Sequence, residues 1–488
     1  MKLSFPFQLI VFIVILLNSA FAQSRFKEYS PKNPANYGHY GNKMVSVDSF
    51  LFVRSYEQRD TFFLQNGTLR IINSGAIVVY KVKPNGTLEH YQNLLPDSAY
   101  YDAGLPLGMT TNNGSVLATY RKNRLDSLLT YEGVRMVEFK LINNKWAQVS
   151  EVKLPKRKSY NSQMGVVLDA EGNLAVVGDW WEDFDENGQD SQLHAGAVYI
   201  YEKVNDNWEF QKKLVSNDRK RGSSFGGAVA IHKGRIFSSA INWAVKDPTS
   251  SGFIGGVGKV YVYENITGNW VEVDTILSPT PFVSAQFGVQ LCFDNNELFV
   301  SEPNSRLDSN GVRRDSNAIG AVHIFELDVN GKYTHKQRLQ PKQLETFLYF
   351  GNSISKKGNQ LIVGAPGRDI FNGSIRTHYS VGSVYRYYYA NGKYKEIEEL
   401  ALPASLRESE DFFGDEVQII GDILVVAAWA KDSTNNGNQV LNRMGKIYTT
   451  NIPTKTYLDT VHLCNNETFM GWHFDKPQQL TFPFVSKS

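Results

Sequence analysis

The sequence predicts an all-β chain folded as a seven-bladed β-propeller of four-stranded antiparallel blades. Three observations carry this. First, a short unit opens with an aromatic or apolar residue and a glycine, and it returns seven times. The copies start at Tyr40-Gly41, Leu107-Gly108, Met164-Gly165, Phe225-Gly226, Phe287-Gly288, Phe350-Gly351 and Phe413-Gly414. The steps between these glycines are 67, 57, 61, 62, 63 and 63 residues. Second, a third strand recurs in the same register, as in Gly196-Ala197-Val198-Tyr199, Gly258-Lys259-Val260-Tyr261 and Gly382-Ser383-Val384-Tyr385. Third, helical periodicity is essentially absent after the first 22 residues, and the apolar stretches are short and bounded by Asn/Gly turns. Such a unit cannot bury both its faces alone, and stacking copies around an axis solves that problem.

Residues 1–22 read as a secretory signal. Lys2 supplies the positive end, Leu9 to Leu17 is unbroken apolar, and Ala20-Phe21-Ala22 fits small-x-small cleavage. Residues 23–37 form an N-terminal segment. The propeller is expected over 38–464, with blades at about 38–102, 103–160, 161–221, 222–283, 284–346, 347–409 and 410–464. A polar, aromatic tail, 465–488, follows. Either 23–37 or the tail is placed to seal the seam between the last and first blades.

Within a copy, strand A follows the opening glycine and strand B follows a tight polar turn such as Lys357-Gly358-Asn359. Strand C alternates from its leading glycine, and an Asn/Gly hairpin such as Asn391-Gly392 leads to strand D. An aromatic often begins strand D: Trp146, Trp208, Trp270, Tyr333, Tyr394 and Tyr457. These rings are expected to pack against the next blade. The A–B and C–D turns share one face and are nearly all short. The B–C loops share the other face with the D–A connections, and they are long, unequal and polar: roughly 54–74, 120–132, 179–195, 241–257, 302–319, 367–381 and 429–444. Binding usually resides on long loops carried by a rigid scaffold.

Phe350-Gly351 and Gly364-Ala365-Pro366 give the pattern a familiar form. The sequence resembles the FG-GAP repeats of the integrin alpha-subunit propeller, and more closely the calcium-loop-free variant of secreted proteins. The resemblance covers roughly 38–464. It implies a propeller whose B–C face binds ligand. Integrin calcium loops lie between strands A and B, and turns such as Asp294-Asn295-Asn296-Glu297 are too short for them. Only the sixth copy keeps Gly-Ala-Pro; others read Gly178-Asp179-Trp180 or Ala427-Ala428-Trp429.

Composition excludes some partners. The chain carries 51 basic and 49 acidic residues, so no field of one sign favours nucleic acid or an anionic membrane. No later stretch is long and apolar enough for a membrane span. Six sequons, Asn66, Asn85, Asn113, Asn265, Asn372 and Asn466, mark glycosylation sites if the chain is secreted, and all but Asn466 fall in turns or loops. Cys292 and Cys464, the only cysteines, are expected on the innermost strand of blade 5 and at the end of the outermost strand of blade 7, too far apart for a disulfide.

Candidate sites cluster on the B–C face. Asp183, Asp185, Asn187, Gly188 and Asp190 have the alternate-oxygen spacing of a calcium loop. The alternative is a solvated acidic loop, because the closing acid is absent and Asp190 falls one residue early for the shorter type. Weaker echoes occur at Asp308 and Asp432, where Asn/Asp/Gly runs are also ordinary turn material. Trp180, Trp181, Trp243 and Trp429 lie just after strands B, where exposed indoles suit sugar faces or protein hot spots, or merely cap the blades. No catalytic constellation is found. Gly222-Ser223-Ser224-Phe225-Gly226 matches a nucleophile elbow by letters only, since it leads into an innermost strand. The leading expectation is a secreted, non-enzymatic propeller that binds an extracellular protein or glycan. The alternative is an extracellular carbohydrate-active enzyme using acids such as Asp179, Asp183 and Asp185 with Arg313, Arg314 and Asp315.

Overall fold

The computed structural model describes residues 25–31, 37–63, 69–94, 106–123, 131–155, 164–247, 249–308, 311–312, 318–345, 347–434, 440–452, 456–463, 467–469, 472–474 and 478–485. Seven four-stranded antiparallel sheets form a ring. Blade 3 shows the plan: strand A is Val167–Glu171, B is Leu174–Asp179, C is Ala197–Val204 and D is Asn207–Leu214. The A strands of successive blades touch each other all the way round, the seventh against the first, so A is innermost and the ring is closed. Strands B and C are buried on both faces, which is why they read as near-continuous apolar runs. The only helix among the described residues is one 3-10 turn, Ala404–Leu406.

The opening aromatic is the clasp between blades. Phe225, Phe287, Phe350 and Phe413 are fully buried. Each donates its backbone N–H to the residue just before the strand C glycine of the preceding blade: Ala195, Val257, Ile319 and Val381, at 2.8, 2.8, 3.0 and 3.0 Å. Tyr40 does the same across the seam, to Met444 at 2.9 Å. That glycine must be glycine. A Cβ on Gly320, at φ 88°, would sit 2.1 Å from the Phe350 carbonyl oxygen. Full burial of each ring contributes about 1.5–3 kcal/mol, so the recurrent pair is a joint repeated round the ring.

All six C–D pairs formed by consecutive strands carry a bulge at one level, for example between Ile200 and Tyr201 or Val262 and Tyr263. Bulges raise the local right-handed twist, and propeller blades need that twist. The aromatics that begin strand D pack backwards, not onto the next blade as expected. Trp146 of blade 2 meets Phe52 of blade 1 edge-on at 4.8 Å, Tyr333 of blade 5 meets Phe237 of blade 4, and Tyr394 of blade 6 meets Phe299 of blade 5. The right-handed twist swings each D strand over its predecessor.

The seventh blade departs from the sequence expectation. Its strands A, B and C are Phe413–Ile420, Ile423–Ala428 and Lys446–Asn451, but its outermost strand is Lys27–Tyr29 from the N-terminal segment. Residues 456–463 pair instead with Gln478–Val485, so the strand before Cys464 is not the blade edge. Lys27–Tyr29 is held on three sides. Arg25 makes a two-pronged pair with Glu398 of blade 6, at 3.0 Å for both contacts. Phe26 meets Phe413 and Tyr448 of blade 7 edge-on. Lys27 donates to the Asn85 carbonyl at 2.7 Å, and the Tyr29 hydroxyl accepts from the Leu88 N–H of blade 1. Cys292 lies on strand A of blade 5 as expected, partly buried, with burial pushing its thiol up to about 12; Cys464 lies outside the described residues.

Candidate functional site

In blades 3 to 7 the B–C loop is pinched at its root. The third residue after strand B donates its N–H back to the last strand residue, in the pairs Glu182–Asp179, Trp243–Ala240, Ser305–Glu302, Arg368–Ala365 and Lys431–Ala428. The same residue's carbonyl then accepts from the strand C glycine, at 2.8 to 3.2 Å. Its side chain enters a polar node with the D–A connection or the outer strands. Glu182 accepts from the Tyr199 hydroxyl at 2.7 Å, Trp243 Nε1 donates to Asp218 at 3.0 Å, and Arg368 pairs with Glu399 at 3.0 Å. Lys431 pairs with Asp411 at 3.2 Å. The loops thus stand on rigid bases.

Around the ring axis on this face lies a second recurrent position, the residue just before each opening aromatic. His39, Ser224, Gln286, Tyr349 and Phe412 occupy it, all with left-handed φ between 44° and 59°. Non-glycine residues adopt this region at a cost of roughly 1–2 kcal/mol. The turn delivers the aromatic N–H to the preceding blade and leaves the earlier side chain on the face. Two contrasting arcs result. On blades 7 and 1, Phe412 stacks on Trp429 with centroids 5.4 Å apart and planes at 16°, and His39 meets Trp429 edge-on at 4.8 Å. On blades 4 and 5, Gln286 donates to the Asn242 side chain at 3.1 Å and accepts from Asn304, while Asn242 donates to Ser224 at 3.0 Å.

A cavity of about 570 Å³ adjoins the aromatic arc at the seam, lined by Tyr37, Glu408, Glu410, Asp411, Asp432 and Arg443 among others. Tyr37 is 54% exposed. Arg443 pairs with Glu410 at 2.9 Å. Burial pushes the Asp411 carboxyl up to about 6, against the opposing pull of the Glu408 N–H and Lys431. His39 is held below its ordinary value by burial and by Arg443 and Arg54. Closer to the axis, burial and Glu416 raise Asp415 to about 7, although Asn352 donates to it at 3.0 Å.

The four tryptophans do not form one platform. Trp180 and Trp181 belong to blade 3, Trp243 to blade 4 and Trp429 to blade 7, and all are half-buried. Trp181 stacks on His194 at 5.2 Å. Trp243 lies under the ammonium groups of Lys259 and Lys220, at 5.0 and 5.6 Å. The sequence picked out Trp429 at the axial rim. It missed the amide arc, because Gln286 comes from the position before an opening aromatic and Asn242 and Asn304 from a second position, two residues after strand B, and neither holds one residue type round the ring.

In the loop at 183–190 the side-chain and backbone oxygens of the calcium-like spacing already have protein partners. Asp185 accepts from the N–H groups of Asn187 and Gln189, and Asp183 accepts from that of His194. Asp190 is paired with Arg219 at 2.8 Å. The backbone carbonyls turned inward are already served by cations. Lys213 donates to those of Phe184 and Asp185 at 2.8 and 2.9 Å, and Arg219 donates to that of Asp183 at 2.7 Å. Two side-chain cations thus do locally what a metal would do. Asp308 and Asp432 likewise cap their own loops, accepting from the Val312 and Arg443 N–H groups. Among the described residues no group of three or more metal-ligating side chains stands together.

Asn85, Asn113 and Asn265 are exposed on the A–B/C–D face, and Asn372 is exposed on a hairpin of the blade 6 loop. Asn66 and Asn466 lie outside the described residues, as do Arg313, Arg314 and Asp315. Ser223 and Ser224 lead into strand Phe225–His232 and no helix follows, so the elbow match has no structural counterpart.

No family model matches the chain, and no curated protein is found similar to it. Among solved structures, the periplasmic gluconolactonase of Pseudomonas aeruginosa is 13% identical, with 77% of this chain and 92% of that one covered and a TM-score of 0.43. A likeness at that level carries nothing into the site.

Proposed function

We propose that this chain is a secreted, non-enzymatic binding propeller of the FG-GAP type that recognises a glycan or protein ligand through its B–C face. The observation that carries this reading is the axial rim. It sets stacked aromatic rings on blades 7 and 1 across from a linked row of side-chain amides on blades 4 and 5. Aromatic faces suit the apolar faces of sugars, and amides offer both donors and acceptors to hydroxyl groups. The rim rests on left-handed backbone that the blade clasps over-determine, a feature that clusters at binding sites. Glycans at Asn85, Asn113 and Asn265 would leave this rim clear.

The test is a glycan array probed with the purified protein, in calcium and in chelator. Specific binding that survives chelation is expected, because Lys213 and Arg219 already serve the backbone carbonyls of the 183–190 loop. Gln286→Ala is expected to weaken binding tenfold or more with an unchanged melting temperature. Trp429→Ala is expected to lower both, since Trp429 is held between Phe412, on which it stacks, and the edge of His39. Unaltered affinity in both variants places the site elsewhere. A bare array with tight binding to a surface protein selects the protein arm.

A carbohydrate-active enzyme is favoured by one observation only. Asp411, a buried acid poised at about 6, faces a cavity with Glu408 and Glu410. Release of reducing ends from a polysaccharide, abolished by Asp411→Asn, decides for it.

A further inference from the structure

The blade 4 loop carries a surface that the axial rim does not use. Its hairpin pairs Val245–Lys246 with Phe253–Ile254 and sets Phe253 opposite Lys246. Cross-strand partners have Cβ atoms about 4.5–5.5 Å apart. Phe253 is 65% exposed. The Lys220 ammonium lies 5.4 Å from its ring centroid and 5.6 Å from that of Trp243. Lys220 and Lys246 are both exposed, and neither has a carboxylate partner among the described residues. The acids close to them in sequence are engaged. Asp218 holds Trp243, Lys259 and Tyr261, and Asp247 accepts from Thr249 and Ser250.

Lys220 sits against the ring and Lys246 stands opposite it across the hairpin, so positive charge gathers beside apolar surface left in water at about 25 cal/mol per Å². A ligand with an anionic group beside a flat apolar face relieves both at once. A lipid surface fits less well, because one ring stands out and its neighbour Ile254 is half-buried. We infer that the blade 4 hairpin binds an anionic sugar of a glycan chain, with Lys220 and Lys246 on its carboxylate or sulfate and Phe253 against its ring face. This rests on the reading that the B–C face binds a glycan. The rim then engages neutral hydroxyls and the hairpin sets the charge requirement.

The experiment measures binding of the full chain to polygalacturonate, dextran sulfate, neutral dextran, poly-glutamate and phosphatidylserine vesicles. One or both anionic polysaccharides are expected to bind, with affinity falling as salt rises, and the preference between them separates carboxylate from sulfate. The double variant Lys220→Glu/Lys246→Glu is expected to lose tenfold or more, and Phe253→Ala about fivefold. These side chains are exposed, and an unchanged circular dichroism spectrum confirms the fold. Array binding lost in Gln286→Ala but untouched in the hairpin variants overturns this inference and leaves the glycan reading standing. Poly-glutamate or vesicles binding as tightly as the polysaccharides, with the same sensitivity to the variants, overturns it in favour of an acidic protein or a membrane. No polysaccharide bound here and a bare array together overturn both.

Discussion

Two single residues set opposing pH slopes on the stability of this ring. His335 begins a buried relay: its Nε2 lies 3.3 Å from His323 Nδ1, and His323 Nε2 lies 3.2 Å from Glu302. Its outer edge is exposed, but burial of the inner edge and the neighbouring His323 lower it from 6.5 to about 4. Between about pH 4 and 6.5 the unfolded chain takes up a proton that the folded chain refuses, so this residue makes stability rise with pH. Asp415 acts in the opposite sense. Its folded value of about 7 lies above the ordinary 3.8, so the folded chain keeps a proton that the unfolded chain releases. Stability from Asp415 therefore falls as pH rises from about 4 to 7. In the parent chain the two slopes largely cancel. His335→Gln should expose a fall in melting temperature across this window, and Asp415→Asn a steeper rise, with a gain of about 2–4 °C at pH 8. Parallel profiles for all three proteins in a pH series of thermal melts would refute the assignment.

At the scale of the element, the clasp makes a contrast that one substitution can isolate. Gly320 and Gly268 share φ 88°. A Cβ on Gly320 would strike the Phe350 carbonyl oxygen at 2.1 Å, whereas one on Gly268 meets nothing within 4 Å. Gly268→Ala should cost only the backbone strain of about 1–2 kcal/mol. Gly320→Ala must also part blades 5 and 6, so its loss should be larger by at least about 2 kcal/mol. Chemical denaturation of the two variants measures the difference, and equal losses would mean that the clasp gives way freely. The clasp was legible because both halves recur as residue types: the Phe-Gly opening and the strand C glycine. The rim was half-legible. Trp429 stands out by its chemistry, but Gln286 stands before an opening aromatic, where the residue type does not recur, and Asn242 and Asn304 stand two residues after strand B, where Trp181, Gly367 and Ala430 occupy the other blades, so neither position leaves a mark on the repeat. The cations that serve the 183–190 loop were hidden for another reason. Lys213 and Arg219 arrive from strand D and the D–A connection, and spacing along the chain does not show which strands meet across a blade.

At the scale of the whole molecule, closure rests on three residues that no period could show. Lys27–Tyr29 is too short and too polar to read as a copy of strand D, and residues 456–463 offered a better match to the pattern. What recruits Lys27–Tyr29 is the set of contacts around it: Arg25 on blade 6, Phe26 on blade 7, and Lys27 with Tyr29 on blade 1. Joining the outermost strand of the last blade from the chain's other end converts a row of nearest-neighbour contacts into a ring. Opening there must also break the inner seam, where Tyr40 donates to Met444, Lys43 pairs with Glu416 at 3.2 Å, and Met44, Leu51 and Val53 of blade 1 pack in one core with Ile423, Val425 and Ile447 of blade 7. Phe26→Ala with Tyr29→Ala removes the apolar grip of the strand and leaves every clasp intact. Both rings are half-buried, so each loss should be near half the roughly 3–5 kcal/mol of a fully buried ring. Hydrogen exchange should then show amides of blades 7 and 1 losing protection first, at concentrations of denaturant where blades 3 and 4 remain protected. Uniform loss in all blades would show instead that the ring unfolds as one unit and that its seam is no weaker than its joints.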